Sequence, residues 1–165
     1  MSSSVRTGLL IGIGTVVWTF VMGFTGWYKD PALTYAFFLV IAIEIAGLIW
    51  GLRKTAAQGR AYGGQVLAGT MMAIVAGVVI IGSSLLFTMV AFPDYFRELE
   101  AMQRQMLAAE GKTAAEIDAA VRAGAASTPM AQAMSGFIGT LITGIVASAI
   151  IALVVRAPKA AAARV

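Results

Sequence analysis

Cysteine, histidine and asparagine are all absent from this 165-residue chain. Without cysteine there are no disulfides, thiolate metal ligands or thiol nucleophiles, and the redox compartment leaves no mark. Without histidine there is no imidazole base for a nucleophile and no imidazole ligand for zinc or haem. Without asparagine there is no acceptor for N-glycosylation. Charge is scarce as well: 12% of residues are charged against 59% hydrophobic. A water-soluble domain needs more polar residues than that to cover its core, so lipid is the expected solvent and a single membrane domain over 1–165 the expected organisation. The formal charge of +4 does not point to nucleic acid, because the cations flank apolar runs instead of forming one basic face.

What is present is a set of long apolar runs. Residues 8–27 (GLLIGIGTVVWTFVMGFTGW) have the length of a spanning helix. The run exceeds a signal-peptide core and no small-x-small site follows it, so a retained first span is expected, with Trp27 and Tyr28 in an interfacial aromatic belt. A second span is predicted over 31–52, with Pro31 in its first turn, and Arg53-Lys54 follows it. A third is predicted over 65–92, stopped by Pro93, with Gly82-Ser83-Ser84 as a place where it could kink. A fourth is predicted over 130–155, capped by Thr128 and led by Pro129.

Residues 93–128 differ in kind, being charged, alanine-rich and helical in pattern. Tyr95, Phe96, Leu99, Met102, Met106 and Leu107 fall largely on one face, which predicts an amphipathic helix. Thr113 and Glu116 have capping-box spacing and Gly124 suits a helix end, so a second helix is predicted between them. The expected place of both is the membrane interface.

The charges sort by side. Arg6, Arg53, Lys54, Arg60, Arg156, Lys159 and Arg164 fall at one end of the predicted bundle with no carboxylate among them. The other end mixes Lys29, Arg97, Arg104, Lys112 and Arg122 with seven acids, Asp30, Asp94, Glu98, Glu100, Glu110, Glu116 and Asp118. Cation-rich loops stay in the cytoplasm, so both termini are expected there and 93–128 on the extracytoplasmic side.

One acid remains. Glu44 lies near the middle of the second run, and a carboxylate at bilayer depth costs roughly 2.5–3.5 kcal/mol on insertion scales, so it should face protein or water. Gly47 and Gly51 follow at i+3 and i+7, on the same helical face. They form a GxxxG pattern that admits a close neighbour. No lysine or arginine inside a span can pair with Glu44, so its carboxyl is expected to be protonated or hydrogen-bonded. Thr15, Trp18 and Thr19 of the first span and Thr140 and Thr143 of the fourth lie at matching depth and are the expected partners. Gly69, Ala73 and Gly77 recur every four residues along the third span as a further packing face.

Other patterns carry no chemistry. Gly111-Lys112-Thr113 resembles the end of a phosphate loop, but position 106 is Met and no strand precedes it. Gly12-x-Gly14 lacks the third glycine of a dinucleotide fingerprint and sits inside a span. Paired methionines such as Met71-Met72 read as packing residues.

The motifs, most of them from Gly59 onward, resemble those of a bacterial membrane family, the domain of unknown function 4199. The resemblance rests on Arg53-Lys54 after the second span, Gly63-Gly64-Gln65 and Ala68-Gly69 opening the third, and Phe92-Pro93-Asp94-Tyr95-Phe96 at its end. Gly111-Lys112-Thr113-Ala114-Ala115-Glu116 and Pro129 complete it. It implies a four-span bundle with a long extracytoplasmic connection in a bacterial, hence inner, membrane, and it transfers no catalytic residue. The expected fold is thus an all-α integral membrane four-helix bundle with a helical connection between spans three and four. The expected partners are the lipid bilayer and a second copy or another membrane protein, with no nucleic acid and no cofactor or metal. A structural, accessory or oligomeric role is expected in place of an enzyme; the alternative is a small oligomeric transporter or channel built on Glu44.

Overall fold

The computed structural model describes residues 2–124 and 128–155, so Arg156, Lys159 and Arg164 lie outside the described residues. The described chain is helical, and four of its helical stretches are long and apolar enough to cross a membrane: Ser3–Thr25, Thr34–Ala57, Tyr62–Ala91 and Pro129–Val154.

Helix α1 (Ser3–Thr25) begins where the Ser2 side chain accepts from Val5 N at 3.3 Å, and it ends at Gly26, whose φ of 74° is left-handed. The predicted second span is shifted. Asp30 turns its carboxylate back to accept from Ala32 N and Leu33 N at 2.8 and 3.3 Å, so Pro31 sits in a turn ahead of the helix. The chain then winds as a 3-10 segment over Thr34–Phe38 before α2 (Leu39–Ala57) starts. Arg53 and Lys54 therefore belong to the last helical turns of α2, and Gly59 (φ 78°) makes the turn that follows. Lys54 Nζ lies 3.4 Å from the centre of the Trp50 ring, a cation on an aromatic face at the helix end.

Helix α3 (Tyr62–Leu86) runs straight through Gly82-Ser83-Ser84 and becomes irregular later, at Phe87–Ala91. There the winding loosens to a π turn, with Phe92 N donating to Phe87 O at 2.7 Å across five residues. The amphipathic helix α4 (Tyr95–Ala109) follows, with Met102 buried on its apolar face. Helix α5 (Ala114–Gly124) has the capping box that its sequence predicts: Glu116 accepts from Thr113 N at 2.8 Å, and Glu116 N donates to Thr113 Oγ1 at 3.4 Å. Arg104 joins the pair, reaching Glu100 at 3.0 Å on its own helix and Asp118 of α5 at 2.7 Å. Helix α6 (Pro129–Val154) starts at Thr128, whose hydroxyl accepts from Ala131 N at 3.1 Å.

The four long helices form a ring in the order α1, α2, α6, α3, with the most extensive packing between α3 and α6, then between α1 and α3. Small residues set the closest approaches. Gly8 and Gly12 of α1 lie on Met72, Val75 and Val79 of α3, running parallel. Gly47 lies on Ile11, and Gly51 on Met72 and Thr7, which brings α2 antiparallel to α1. Gly69 lies on Ser148, Ala73 on Gly144, and Gly77 on Phe137, which brings α3 antiparallel to α6. In lipid, where burial from water cannot drive helix association, such close backbone approach is what yields attraction. The core of Ile11, Leu48, Leu52, Ala68, Met72 and Ala76 fills the half of the bundle nearer the termini, with Leu48, Leu52 and Met72 at 0% exposure.

Candidate functional site

Glu44 sits at the upper edge of this core, 5% exposed, with Oε1 pointing toward Gly144 of α6. A Cβ placed on Gly144 would collide with Ala73 of α3 and come 3.1 Å from that oxygen, so glycine at 144 admits both α3 and the carboxyl. Glu44 Oε1 is buried and has no hydrogen-bond partner among the described residues. An unpaired buried carboxyl oxygen is expensive, and its neighbourhood is where a ligand or proton would be sought.

That neighbourhood is a cavity of about 370 Å³, within the range of small-molecule sites. It starts at Glu44 and extends toward the α4 end. Helix α1 lines it with Thr15, Thr19 and Phe20, and α3 with Ile80, Ser83, Ser84, Phe87 and Thr88. Helix α6 adds Gln132, Ser135, Gly139, Thr140 and Thr143, and the second span adds Phe37, Phe38 and Ile41. Glu44 is the one ionised-type side chain among these lining residues. One wall is open: Phe37, Phe38 and Ile41 on one rim, and Ser135 and Gly139 on the other, are exposed. The cavity is therefore a cleft that parts α2 from α6 above the point where Glu44 meets Gly144.

Several lining hydroxyls spend their protons on their own helices. Thr19 donates to Thr15 O at 2.9 Å, Thr88 to Ser84 O at 2.8 Å, and Ser83 to Ile80 O at 3.1 Å. What they offer the cleft is lone pairs.

Of the residues picked out with Glu44 from sequence, Thr15, Thr19, Thr140 and Thr143 line the same cleft, but none hydrogen-bonds its Oε1. Trp18 is elsewhere: its Nε1 donates to Ala36 O at 2.9 Å, and its ring packs edge-on against Trp27. The 3-10 winding of Thr34–Phe38 is what presents that carbonyl, and nothing in the linear sequence announces it. Gly47 and Gly51 share a helical stripe with Glu44 yet pack on α1 and Met72, whereas Glu44 turns toward α6. The face is broad enough to serve two neighbours.

The cleft is roofed by aromatic rings that sequence reading did not assemble. Tyr28, expected in an interfacial aromatic belt, is 6% exposed and packs edge-on and tilted among Phe87, Phe92 and Tyr95 with ring centres 5.2–6.5 Å away. Phe87 and Phe92 are 4.5 Å apart, brought together by the π turn between them. The Tyr28 hydroxyl donates to Glu98 of α4, and Lys29 reaches the other oxygen of the same carboxylate at 2.7 Å. Burial, and then the Glu98 carboxylate, pushes the Tyr28 hydroxyl well above its ordinary pKa, so it stays a donor. Burial also raises Tyr95. The hydrogen bond from Lys29, followed by that from Tyr28, holds Glu98 below the usual carboxylate value. This knot ties α4 over the cleft, with Leu99 and Tyr95 lining its upper end. The α6 wall was legible in principle: Gln132, Ser135, Gly139 and Thr143 recur at helical spacing as a polar stripe in an apolar run.

No curated protein and no solved structure matches the chain. A family match does exist, and it is wider than the motifs after Gly59 suggested, taking in the first two long helices as well. Residues 6–157 match the family described as protein of unknown function, DUF4199, and the chain belongs to that family.

Proposed function

We propose that the protein is a multi-pass protein of the bacterial inner membrane that acts as a binding or accessory component through the cleft at Glu44. In this reading the termini are cytoplasmic and α4–α5 extracytoplasmic. The charge distribution supports that orientation: Arg6, Arg53, Lys54 and Arg60 gather at one end, and all the acids except Glu44 at the other. The observation that carries the functional reading is Glu44 at the floor of a cleft with an exposed wall, its Oε1 buried against α6 with no hydrogen-bond partner. A carboxyl kept only to lock helices together would be expected to spend its oxygens on neighbouring threonines.

The packed half below Glu44 favours binding over open permeation. Leu48, Leu52 and Met72 are fully buried there, so passage through the bundle would require that half to loosen or a second copy to complete a path. A small accessory subunit, alone or as an oligomer, is compatible with the same cleft.

The absence of cysteine makes a direct test available, because any introduced cysteine is unique. Thr140→Cys should react in intact cells with the small membrane-permeant reagent N-ethylmaleimide, and Ser148→Cys, fully buried, should not. Equal protection of both would sink the accessible cleft. Lys112→Cys should label with an impermeant maleimide from outside, and Arg60→Cys only after permeabilisation; the reverse pattern would invert the topology.

A further inference from the structure

We propose that the cleft binds a compact amphipathic amine, its protonated nitrogen on Glu44 and its apolar body against the rings above. This rests on the reading of the cleft as a binding site and names the ligand's chemistry.

The floor demands a proton donor or a cation. Glu44 lines the floor of the cleft, its Oε1 buried against α6 without a partner, and no other lining residue carries a charge of either sign. The hydroxyls of Thr19, Ser83 and Thr88 turn their protons to helix carbonyls and their lone pairs remain for the cleft. A site made of one carboxyl and hydroxyl oxygens suits N–H donors and repels anions. That excludes phosphate-bearing headgroups from the floor, even those that also carry an amine.

The walls demand an apolar body. Phe20, Phe37, Phe38 and Phe87 surround the space above Glu44, and aromatic faces also attract an ammonium group. From Glu44 to Phe37 is seven residues, about 10 Å of helix rise, which limits the ligand to a compact molecule. A bare metal ion would leave most of the roughly 370 Å³ unfilled and find a single carboxylate, where hard cations take several oxygen ligands.

The opening suggests the route. Phe38 is 59% exposed and Phe37 45% on the rim facing away from the bundle, between two membrane-length helices. A molecule already partitioned into the lipid can slide in sideways, as an amphipathic amine would.

The test uses the full chain in nanodiscs of zwitterionic lipid, with empty nanodiscs as the baseline, and calorimetric titration. The probes are 1-adamantylammonium and its neutral twin 1-adamantanol, matched in shape and differing in charge. The ammonium should bind saturably and at least about tenfold more tightly than the alcohol, as a charge-assisted contact implies. Glu44→Gln should erase that difference. Gly139→Leu should abolish binding of the ammonium, because Gly139 lines the cleft and leucine there adds bulk at its rim. Gly139→Leu keeps the test valid should Glu44→Gln fail to fold. Equal affinity for both probes, lost in Gly139→Leu, would overturn the amine and leave the cleft a neutral-ligand site. Binding of neither probe, with Thr140→Cys reactive, would overturn the amine while the cleft stands. Titration of both protein and empty nanodiscs to the same extent would also overturn it, as lipid partitioning. A bilayer-resident source is separated by reconstituting with phosphatidylethanolamine: competition with the ammonium would contradict the exclusion of phosphate.

Discussion

The two halves of the bundle are made by the same four helices and behave differently. In the half near the termini, glycines let the helices approach closely in register: Gly47 on Ile11, Gly51 on Met72, Gly69 on Ser148, Gly144 on Ala73. The backbones close up and Leu48, Leu52 and Met72 lose all exposure. In the half toward α4, rings and hydroxyls occupy the interior, the second span enters as a 3-10 segment, and α3 leaves as a π turn. Side chains of that size and shape hold the helices apart, and α2 parts from α6 to leave the cleft. Glu44 lies at the boundary. Close glycine contacts make the seal; rings on the same helices line the chamber.

The largest test of this contrast is Gly69→Leu. Its side chain would run into Ser148 in the sealed half, with an overpacking cost of about 3 kcal/mol. Reversible unfolding in detergent should show it, and a loss under about 1 kcal/mol would mean the seal is not close-packed. Next is Leu48→Ala, which removes a fully buried side chain from the core and should cost about 2 kcal/mol in the same assay, the low end for such truncations because lipid also solvates leucine.

Smaller still is Glu98→Gln, which removes the anchor shared by Tyr28 and Lys29 above the cleft. Both partners of that ion pair are partly exposed (48% and 31%), so screening limits the loss to about 1 kcal/mol or less. The Glu98 pKa is lowered in the folded state, so its contribution is present above the unfolded carboxyl value of about 4.3 and lost as pH falls below it. Hydrogen exchange should therefore show α4 loosening selectively in that acidic window in wild type and at neutral pH in the variant. Uniform loosening of the whole bundle would deny the anchor.

The smallest expected effect is on the stability of Gly139→Leu. A Cβ at 139 meets nothing within 4 Å, whereas one at 69 runs into Ser148, and leucine is the better helix former by nearly 1 kcal/mol. The variant should be as stable as wild type or slightly more so. A loss comparable to that of Gly69→Leu would erase the distinction between seal and chamber.

Local chemistry was readable from the chain alone. The four membrane-length helices, the capping box of Thr113 and Glu116, the Thr128-Pro129 start and the isolation of Glu44 all follow from residue type and short spacing. Each depends on interactions within a turn or two, or on the length of an apolar run. Tertiary structure alone decided who meets whom. Glu44 faces Gly144 and a cleft in place of a threonine, because lateral position around a ring of helices cannot be read from depth along them. Trp18 finds Ala36 because Asp30 turns the chain before α2 begins. Tyr28 and Glu98, 70 residues apart, meet because the π turn redirects α3 beneath α4. The sequence by itself determined which segments are helical and which residues cannot face lipid; the lateral packing of the four helices decided where they close and where they stand open.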